Sequence, residues 1–286
     1  MPIAGESIGN EGRKVDLRCS SATSAKLKPQ SLDAVFTDPP YFANVQYAEL
    51  MDFCYVWLRR IVGDEYAAFR HGSTRNANEL TGNETLERGI EHFTDGLSQV
   101  FIRMSEAMKP GAPLAFTYHH NRLDAYVPVA VAILDAGLTC SASLPCPAEM
   151  GASIHISGTG SSVVDSIFVC RVTGRVDPRD VLTTPEGLAG MVGRDLDRLL
   201  EGGVKPSVGD TRCVLYGHLV RLAIWQMRPK WNPSLPVSQR IEWVRQTLAE
   251  LPEVGDVERM LDAREPGFPG PLFAEKRKRT SNAVPF

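Results

Sequence analysis

The chain has 286 residues, of which 43% are hydrophobic, so it is long and apolar enough for one large domain or two small ones. Its formal net charge of -3 excludes a protein that coats nucleic acid through bulk positive charge, so any nucleic-acid contact must come from a local basic patch. No apolar run is long enough to span a bilayer and the first residues do not resemble a signal peptide, which predicts a cytoplasmic protein without a membrane partner.

The six cysteines include no Cys-x-x-Cys pair, and most lie within apolar stretches, as Cys54 and Cys170 do. This pattern is typical of reduced core thiols in a reducing compartment. The six histidines lack the spacing of a zinc site, so the sequence predicts no bound metal.

Residue patterns in the first third of the chain predict two strands, a helix and a long loop. Residues 15–19 predict a short strand, and residues 32–37 form the continuous apolar run of a strand buried in a parallel sheet. Residues 63–83 are polar and charged, which predicts either a mobile loop near a functional site or a solvated insertion. Between them, residues 47–60 predict a helix whose apolar residues share one side: Leu50, Phe53, Cys54, Trp57 and Leu58.

The middle of the chain alternates between helix and strand patterns. Helices are predicted over 85–108 and 123–135, and strands over 113–118, 138–144 and 163–172. The glycine-rich segment before the last strand precedes a strand rather than a helix and lacks a lysine, which favours a hairpin connection over a phosphate loop.

The last third of the chain changes character and predicts helices with Pro and Gly between them, over 185–200, 211–227, 238–251 and 257–263. The predicted organisation is a catalytic domain over 12–175, a helical extension over 176–265 and a basic tail over 266–286. We expect the tail to be either disordered or an auxiliary phosphate contact.

The most informative motif is Asp38-Pro39-Pro40-Tyr41, which follows the predicted strand 32–37. Ligands of open α/β sheets bind at the carboxyl ends of strands, so the motif stands where chemistry is expected. A carboxylate and a proline carbonyl can accept hydrogen bonds from an exocyclic amine, and a tyrosine ring offers a face for a flipped base. The alternative is a strand that simply ends in a Pro-Pro turn.

The motif and the order of elements around it resemble the catalytic half of the amino-methyltransferases that methylate N6 of adenine or N4 of cytosine in DNA. The longer stretch 37–60 is similar to a prokaryotic family of adenine-specific DNA methylases with an uncharacterised N-terminal domain. Segments 116–120, 135–137 and 166–171 also resemble this family. The resemblance covers residues 12–172 and implies an α/β fold, a partial Rossmann-like methyltransferase sheet with a C-terminal helical extension.

The resemblance implies direct methyl transfer from S-adenosylmethionine to a base that has left the DNA helix. Asp38 and the carbonyl of Pro39 would hydrogen-bond the amine, Pro40 would hold the turn rigid, and Tyr41 would stack on the base. N6 of adenine is favoured over N4 of cytosine as the target.

Four further residues are candidate contacts for the substrate. Asn44 and Tyr47 follow the motif closely and are expected to reach the base edge or a flanking phosphate. His119 and His120 end the neighbouring predicted strand and are expected to border the same pocket. For each of them a purely structural role is the alternative, since a histidine at the end of a strand is often only a hydrogen-bonding residue.

The chain departs from the resembled enzymes in the donor site. It contains no Asp-x-Phe-x-Gly-x-Gly segment after a strand, so no cofactor-binding residue is assigned. The expectation is therefore a carboxyl-terminal catalytic half that acts with an N-terminal donor-binding half or subunit. The alternatives are a non-catalytic remnant or nucleic-acid-binding subunit, and an enzyme that methylates an amine outside DNA.

Overall fold

A mixed four-stranded sheet forms the centre of the fold. The structure, a computed structural model, describes residues 16, 20–43, 45–83, 88–148, 162–172 and 183–263. The strands are β1 (Val35–Thr37), β2 (Leu114–Tyr118), β3 (Thr139–Pro147) and β4 (Val164–Arg171), in the spatial order β1-β2-β4-β3. β1 and β2 are parallel, and β4 is antiparallel to both β2 and β3. The predicted α/β class is confirmed at this level.

Helices flank the sheet and continue beyond it in the chain. They are α1 (Tyr47–Val62), α2 (Ile90–Ala107), α3 (Val127–Asp135), α4 (Pro185–Glu201), α5 (Val208–Met227), α6 (Val237–Ala249) and α7 (Val254–Asp262). No helix among the residues described is both long and apolar enough to cross a membrane.

One face of the sheet is buried and carries the core. Leu114, Phe116 and Tyr118 alternate along β2 with less buried residues, as the period of a strand requires. Phe116 lies opposite Phe168 of β4, and their rings stack with centroids 5.3 Å apart. Helix α2 closes over this pair, where Phe101 packs 5.0 Å from the Phe116 ring. Burial of each such aromatic side chain stabilises the fold by roughly 1.5–3 kcal/mol.

The other face of the sheet is apolar and more exposed. Phe36 of β1 is 78% exposed, although it belongs to the central apolar run of the strand. Ala115 lies beside it in β2, and Thr117 and Ile167 lie further along the same face. In the described part of the chain β1 is an edge strand, so this face and this edge both remain open there.

Helix α1 presents its apolar side to the outside. The expected apolar residues are exposed, namely Leu50, Phe53, Cys54, Trp57 and Leu58. The buried side holds Ala48 and Tyr55, and it packs against the segment that follows the helix. The Tyr55 hydroxyl donates to the carbonyls of Ala68 and His71, in and after the 3-10 turn Ala67–Arg70. The polar segment 63–83 therefore packs against the buried side of α1 and leaves its apolar side exposed.

Several helices and strands begin at residues other than those predicted, for local reasons. Helix α2 begins at Ile90 rather than at 85 because Asn83 and Arg88 pair through their backbones before it. α5 begins at Val208, where Ser207 and Asp210 form a capping box. β1 begins at Val35, three residues later than expected. The predicted strand 15–19 falls almost entirely outside the described residues, as does the basic tail.

The C-terminal helices share the core of the sheet. α5 packs against β3 and β4, and Gly217 allows this close approach because a Cβ there would lie 2.3 Å from the Ser143 hydroxyl oxygen. The buried carboxylate of Asp135, at the end of α3, accepts hydrogen bonds from Trp231 Nε1 and Arg240. Burial raises the pKa of Asp135 in spite of these donors. The extension is thus joined to the α/β part by both apolar and polar contacts.

The expected core thiols are partly correct. Cys140, Cys170 and Cys213 are buried, whereas Cys54 is exposed on α1 and Cys146 is half-buried. The prediction for Cys54 is wrong because α1 turns its apolar side outward. Cys19 lies outside the described residues.

Candidate functional site

Asp38 lies at the carboxyl edge of the sheet, immediately after β1. Because β1 and β2 run parallel, their carboxyl ends meet at the same edge. Thr117 near the end of β2 donates a hydrogen bond from Oγ1 to Oδ1 of Asp38. The Asp38 side chain is otherwise exposed, so its carboxylate is both oriented and accessible.

Tyr41 turns back toward the sheet. Its ring centroid lies 5.0 Å from that of Tyr118, and its hydroxyl donates to Oδ2 of Asp165 over 3.5 Å. Burial raises the pKa of the Tyr41 hydroxyl far above its usual value, and the nearby charges of Asp165 and Asp38 raise it further. The hydroxyl therefore stays protonated at neutral pH and acts only as a neutral partner of the two carboxylates.

The turn after the motif is held by Tyr118. The backbone N–H of Phe42 donates to the Tyr118 hydroxyl over 3.2 Å, and this hydroxyl donates to the carbonyl of Ala125 over 2.8 Å. Tyr118 is fully buried, and burial raises its pKa. One buried hydroxyl thus ties the end of the Pro-Pro turn to the segment that leads into α3.

Gly82, in the polar segment 63–83, packs directly against the same turn. A Cβ at Gly82 would lie 2.7 Å from Cε2 of Phe42 and 2.9 Å from the nitrogen of Ala43, too close for any other residue without a shift. Ala43 itself has a positive φ of 57°, an uncommon conformation for a residue with a side chain. The Gln46 side chain donates to the Gly82 carbonyl over 3.0 Å and so joins the two segments. The segment predicted as a loop near the site is therefore in direct contact with the turn.

Tyr47 lies close to the motif. Burial and the charge of Asp38 raise the pKa of Tyr47, and a hydrogen bond that its hydroxyl oxygen accepts from the backbone of Tyr41 opposes this rise. Its ring remains more than a third exposed, at 38%. The predicted contact residue Asn44 lies outside the described residues.

The contacts of His120 lie on the α3 side of the site, whereas His119 interacts electrostatically with α5. His120 donates its backbone N–H to the Tyr126 hydroxyl, and its Nδ1 accepts from the backbone N–H of Arg122. Burial lowers the pKa of His119, while the charge of Asp210 in α5 opposes that shift. A role for either histidine at the base stays a prediction.

A shallow apolar groove of about 450 Å³ begins at Asp38 and runs along the open face of the sheet. Phe36, Ala115 and Ile167 supply its apolar wall, and Thr117 stands with Asp38 at its polar end. A flat, mainly apolar groove with one acceptor at its end has the chemistry to receive a planar ring that carries an amine.

Three residues at the site were not identified from the sequence. Thr117 and Tyr118 were assigned only to a strand, and their roles depend on contacts with residues more than seventy positions away. Asp165 gave a usable signal, because a carboxylate between the apolar residues of a strand requires an explanation.

No cluster of three or more metal-binding side chains occurs within the described residues. The same residues include no strand followed by a glycine-rich turn beside β1, so they do not fit a complete donor site, and the cofactor-binding residues stay unassigned. Comparisons with protein-family models, with curated proteins and with solved structures found no match to this chain.

Proposed function

We propose that the chain carries the base-binding and catalytic half of an S-adenosylmethionine-dependent DNA amino-methyltransferase, with N6 of adenine favoured over N4 of cytosine. The observation that carries this proposal is the position of Asp38: an accessible carboxylate oriented by Thr117, at the polar end of an apolar groove and beside Tyr41. These surroundings favour the proposed site over the alternative of a simple Pro-Pro turn at the end of a strand.

The proposed role of Asp38 is to accept hydrogen bonds from the exocyclic amine of the base. An ionised carboxylate has about four acceptor positions, so it can hold the Thr117 hydroxyl and still receive an N–H. The carbonyl of Pro39 is the proposed second acceptor. Two acceptors on the same amine would fix its orientation, which is the main contribution expected of a protein in direct group transfer.

Extrusion of the base from the duplex costs a few kcal/mol in lost stacking and pairing. The groove offers apolar area in compensation, and an aromatic side chain beside Asp38 could stack on the base. Tyr41 is the proposed stacking residue and Tyr47 a further contact at the base edge. Asn44, His119 and His120 remain proposed contacts.

The sheet topology supports the placement of the site. β3 runs parallel to β1 and β2, since β3 and β2 are both antiparallel to β4. We propose that this arrangement is one half of a doubly wound Rossmann-like sheet with one antiparallel strand inserted. In such sheets the ligand binds outside the carboxyl ends of strands at the switch point between the two halves. In the proposed sheet, the open edge of β1, where Asp38 lies, would correspond to that point.

The same edge is the proposed docking site of the missing donor-binding half. An open strand edge and a contiguous exposed apolar surface are both features that proteins usually cover. Phe36 at the edge and the apolar side of α1 provide such a surface. We propose that S-adenosylmethionine is held mainly by the partner half, which would also cover the open side of the groove.

The second candidate is a non-catalytic remnant or nucleic-acid-binding subunit that retains the fold. It is favoured by the incomplete donor site in the described residues. Methylation of an amine outside DNA is a further outcome that the same assay would reveal.

The test is methyl transfer to unmethylated DNA from radiolabelled S-adenosylmethionine, with the chain alone and with a separately produced donor-binding half. Methylated nucleosides would be identified by mass spectrometry. Asp38→Ala should abolish incorporation and leave DNA binding intact, whereas the control Asp33→Asn, at an exposed aspartate before β1, should retain activity. Full activity of Asp38→Ala would refute the catalytic assignment.

Calorimetric titration of the folded chain with S-adenosylmethionine tests whether the chain binds the methyl donor by itself. No binding by the chain alone is the expected result. Saturable binding would show that the donor pocket is formed within this chain, and the proposed partner half would then be unnecessary.

A further inference from the structure

A second carboxylate, that of Asp165, lies at the same end of the sheet as Asp38. Because β4 is antiparallel to β2, the start of β4 stands beside the end of β2, where Thr117 and Ile167 are directly opposite each other. Side chains on one face of a strand recur every second residue, so Asp165 follows Ile167 along the face that lines the groove. The polar end of the groove therefore has two acids near it.

One hydroxyl group links these two acids. The Tyr41 hydroxyl donates to Oδ2 of Asp165 over 3.5 Å and is also within hydrogen-bonding reach of the Asp38 carboxylate. The contact with Asp165 is long, as hydrogen bonds between catalytic groups often are before a substrate binds. The Tyr41 ring packs against that of Tyr118, with centroids 5.0 Å apart, and this packing holds the hydroxyl beside both acids.

The Tyr41 hydroxyl can carry a proton between the two carboxylates. A neutral tyrosine has one O–H to donate, and its oxygen can accept a hydrogen bond at the same time. Burial and the charges of Asp165 and Asp38 raise the pKa of Tyr41, so this hydroxyl stays protonated at neutral pH. It can therefore receive a proton from one acid while it gives its own to the other, and no tyrosinate forms.

Methylation of an amine requires an acceptor for one proton. In the proposed reaction the amine nitrogen forms a bond to the methyl carbon, and the electron pair of the carbon–sulfur bond stays with sulfur, which leaves as a neutral thioether. The nitrogen carries a positive charge until it loses one N–H proton. Asp38, the proposed hydrogen-bond acceptor of that amine, is the group in direct contact with this proton.

We propose that the proton released by methyl transfer moves from Asp38 through the Tyr41 hydroxyl to Asp165. Asp38 takes the proton from the amine and passes it to the Tyr41 oxygen, while Tyr41 gives its own proton to Oδ2 of Asp165. Asp38 is then ionised again, and Asp165, which is only half-buried, releases the proton to water. In this route, which rests on the proposed function, Asp165 acts through Tyr41 and is a positioning residue for proton release.

Other titratable groups also lie near Asp165. Cys146 is directly opposite it in β3, and Cys213 of α5 is close enough to respond to its charge. Burial raises the pKa of Cys213 to about 11, and burial also raises the pKa of Tyr118, which lies in β2 opposite the neighbouring residue of β4. The Cys213 thiol and the Tyr118 hydroxyl are therefore not expected to titrate between acid and neutral pH.

The first test measures the single-turnover rate of methyl transfer to DNA at several pH values, with the chain and the donor-binding half. Asp165→Asn keeps the size of the side chain and an acceptor for the Tyr41 hydroxyl but cannot take up the proton. Because acid–base steps contribute about 10²–10⁴-fold to catalysis, we expect this rate to fall about tenfold or more at neutral pH, with KM for DNA nearly unchanged.

The matched control is Asp33→Asn, at an exposed aspartate before β1, which should keep the rate of the parent chain. An Asp165→Asn chain with the rate and pH profile of the parent would overturn the proposal. So would a rise in KM without a fall in the single-turnover rate, because that result would assign Asp165 to DNA binding alone.

The second test needs no methyl transfer. The carbon-13 NMR signal of Tyr41 Cζ is followed while the isolated chain is titrated with acid. If both acids share the hydroxyl, the signal should change as each of them takes up a proton, and Asp165→Asn and Asp38→Asn should each remove part of the change. Asp33→Asn should titrate as the parent does. A Tyr41 signal that does not respond to Asp165→Asn would contradict the route.

The two tests distinguish failure of the proton route from failure of the proposed function. If the parent chain and the donor-binding half do not methylate DNA, the proposed function fails and the route fails with it. If the parent methylates DNA and Asp165→Asn methylates it equally fast, only the route through Asp165 fails.

Discussion

Thr117 of β2 donates a hydrogen bond to the Asp38 carboxylate, which follows the parallel strand β1. This contact joins two strand ends that lie far apart in the chain, and it sets the direction in which the carboxylate faces the groove. The proposed catalysis depends on that direction as much as on the carboxylate itself.

Replacement of Thr117 by valine keeps the shape of the side chain but removes the donor. We expect the rate of DNA methylation by the reconstituted enzyme to fall about tenfold to a hundredfold, since a hydrogen bond to a charged group contributes about 1.5–3 kcal/mol. Steady-state kinetics with DNA as the varied substrate measures the change. The control Thr37→Val alters a neighbouring strand end, and equal activities of the two variants would argue against an orienting role for Thr117.

Tyr118→Phe should destabilise the fold. The change leaves the Phe42 N–H and the Ala125 carbonyl without their shared buried partner, at an expected cost of about 1–3 kcal/mol in the free energy of unfolding. Urea titration followed by circular dichroism measures this. Tyr66→Phe, at an exposed tyrosine, is the matched control and should unfold as the parent does. A Tyr118→Phe chain of unchanged stability would show that water replaces the hydroxyl.

Gly82→Ala should disturb the turn that carries the motif. The added Cβ would meet Phe42 and the backbone of Ala43 at distances that require movement, and such overpacking typically costs about 1–3 kcal/mol. The control Gly72→Ala belongs to the same polar segment but meets no atom within 4 Å. Thermal unfolding of both variants is the measurement. Similar melting temperatures of the two variants would mean that Gly82 does not pack tightly against the turn.

The Asp124–Arg245 pair predicts a specific dependence on pH. Arg245 of α6 donates two hydrogen bonds to Asp124 and holds the pKa of that carboxyl below its usual value. A lowered folded-state pKa means that the pair contributes its full stability above the ordinary aspartate pKa of about 3.9 and loses it as the pH falls toward the lower, folded-state value.

Asp124→Asn should therefore be less stable to urea than the parent at neutral pH, and the two stabilities should converge in acid. Urea midpoints at several pH values from neutral to strongly acidic measure this convergence. A difference that stayed constant across the series would show that the charge of Asp124 does not contribute.

Substitutions on the exposed side of α1 are expected to weaken association without affecting folding. Phe53→Gln and Ile61→Gln replace side chains that are 76% and 75% exposed, so the melting temperature of the isolated chain should hardly change. Binding to the donor-binding half, measured by calorimetry, should weaken about tenfold or more if these side chains are buried on assembly. Val208→Gln, at an exposed apolar residue of α5, is the control. Unweakened binding would place the interface elsewhere.

The sequence alone was sufficient for the α/β class, for the central strands and for the position of Asp38 at a strand end. These features depend on local patterns: an apolar run of strand length, the helical period, and turns marked by Pro and Gly. The C-terminal helices were predicted to within a few residues for the same reason, and Ser207 with Asp210 explains the earlier start of α5.

Only the tertiary structure decided what surrounds the motif. The bonds from Thr117 to Asp38 and from Tyr41 to Asp165 join residues far apart in the chain, and no local pattern encodes such pairs. The outward orientation of α1 could not be read from the sequence, because an apolar stripe does not identify the partner that covers it. A cavity of about 170 Å³ between α4, α5 and β3 also could not be predicted, since these elements meet only in the folded chain. Local periodicity thus determined the elements of this protein, and long-range packing determined its sites.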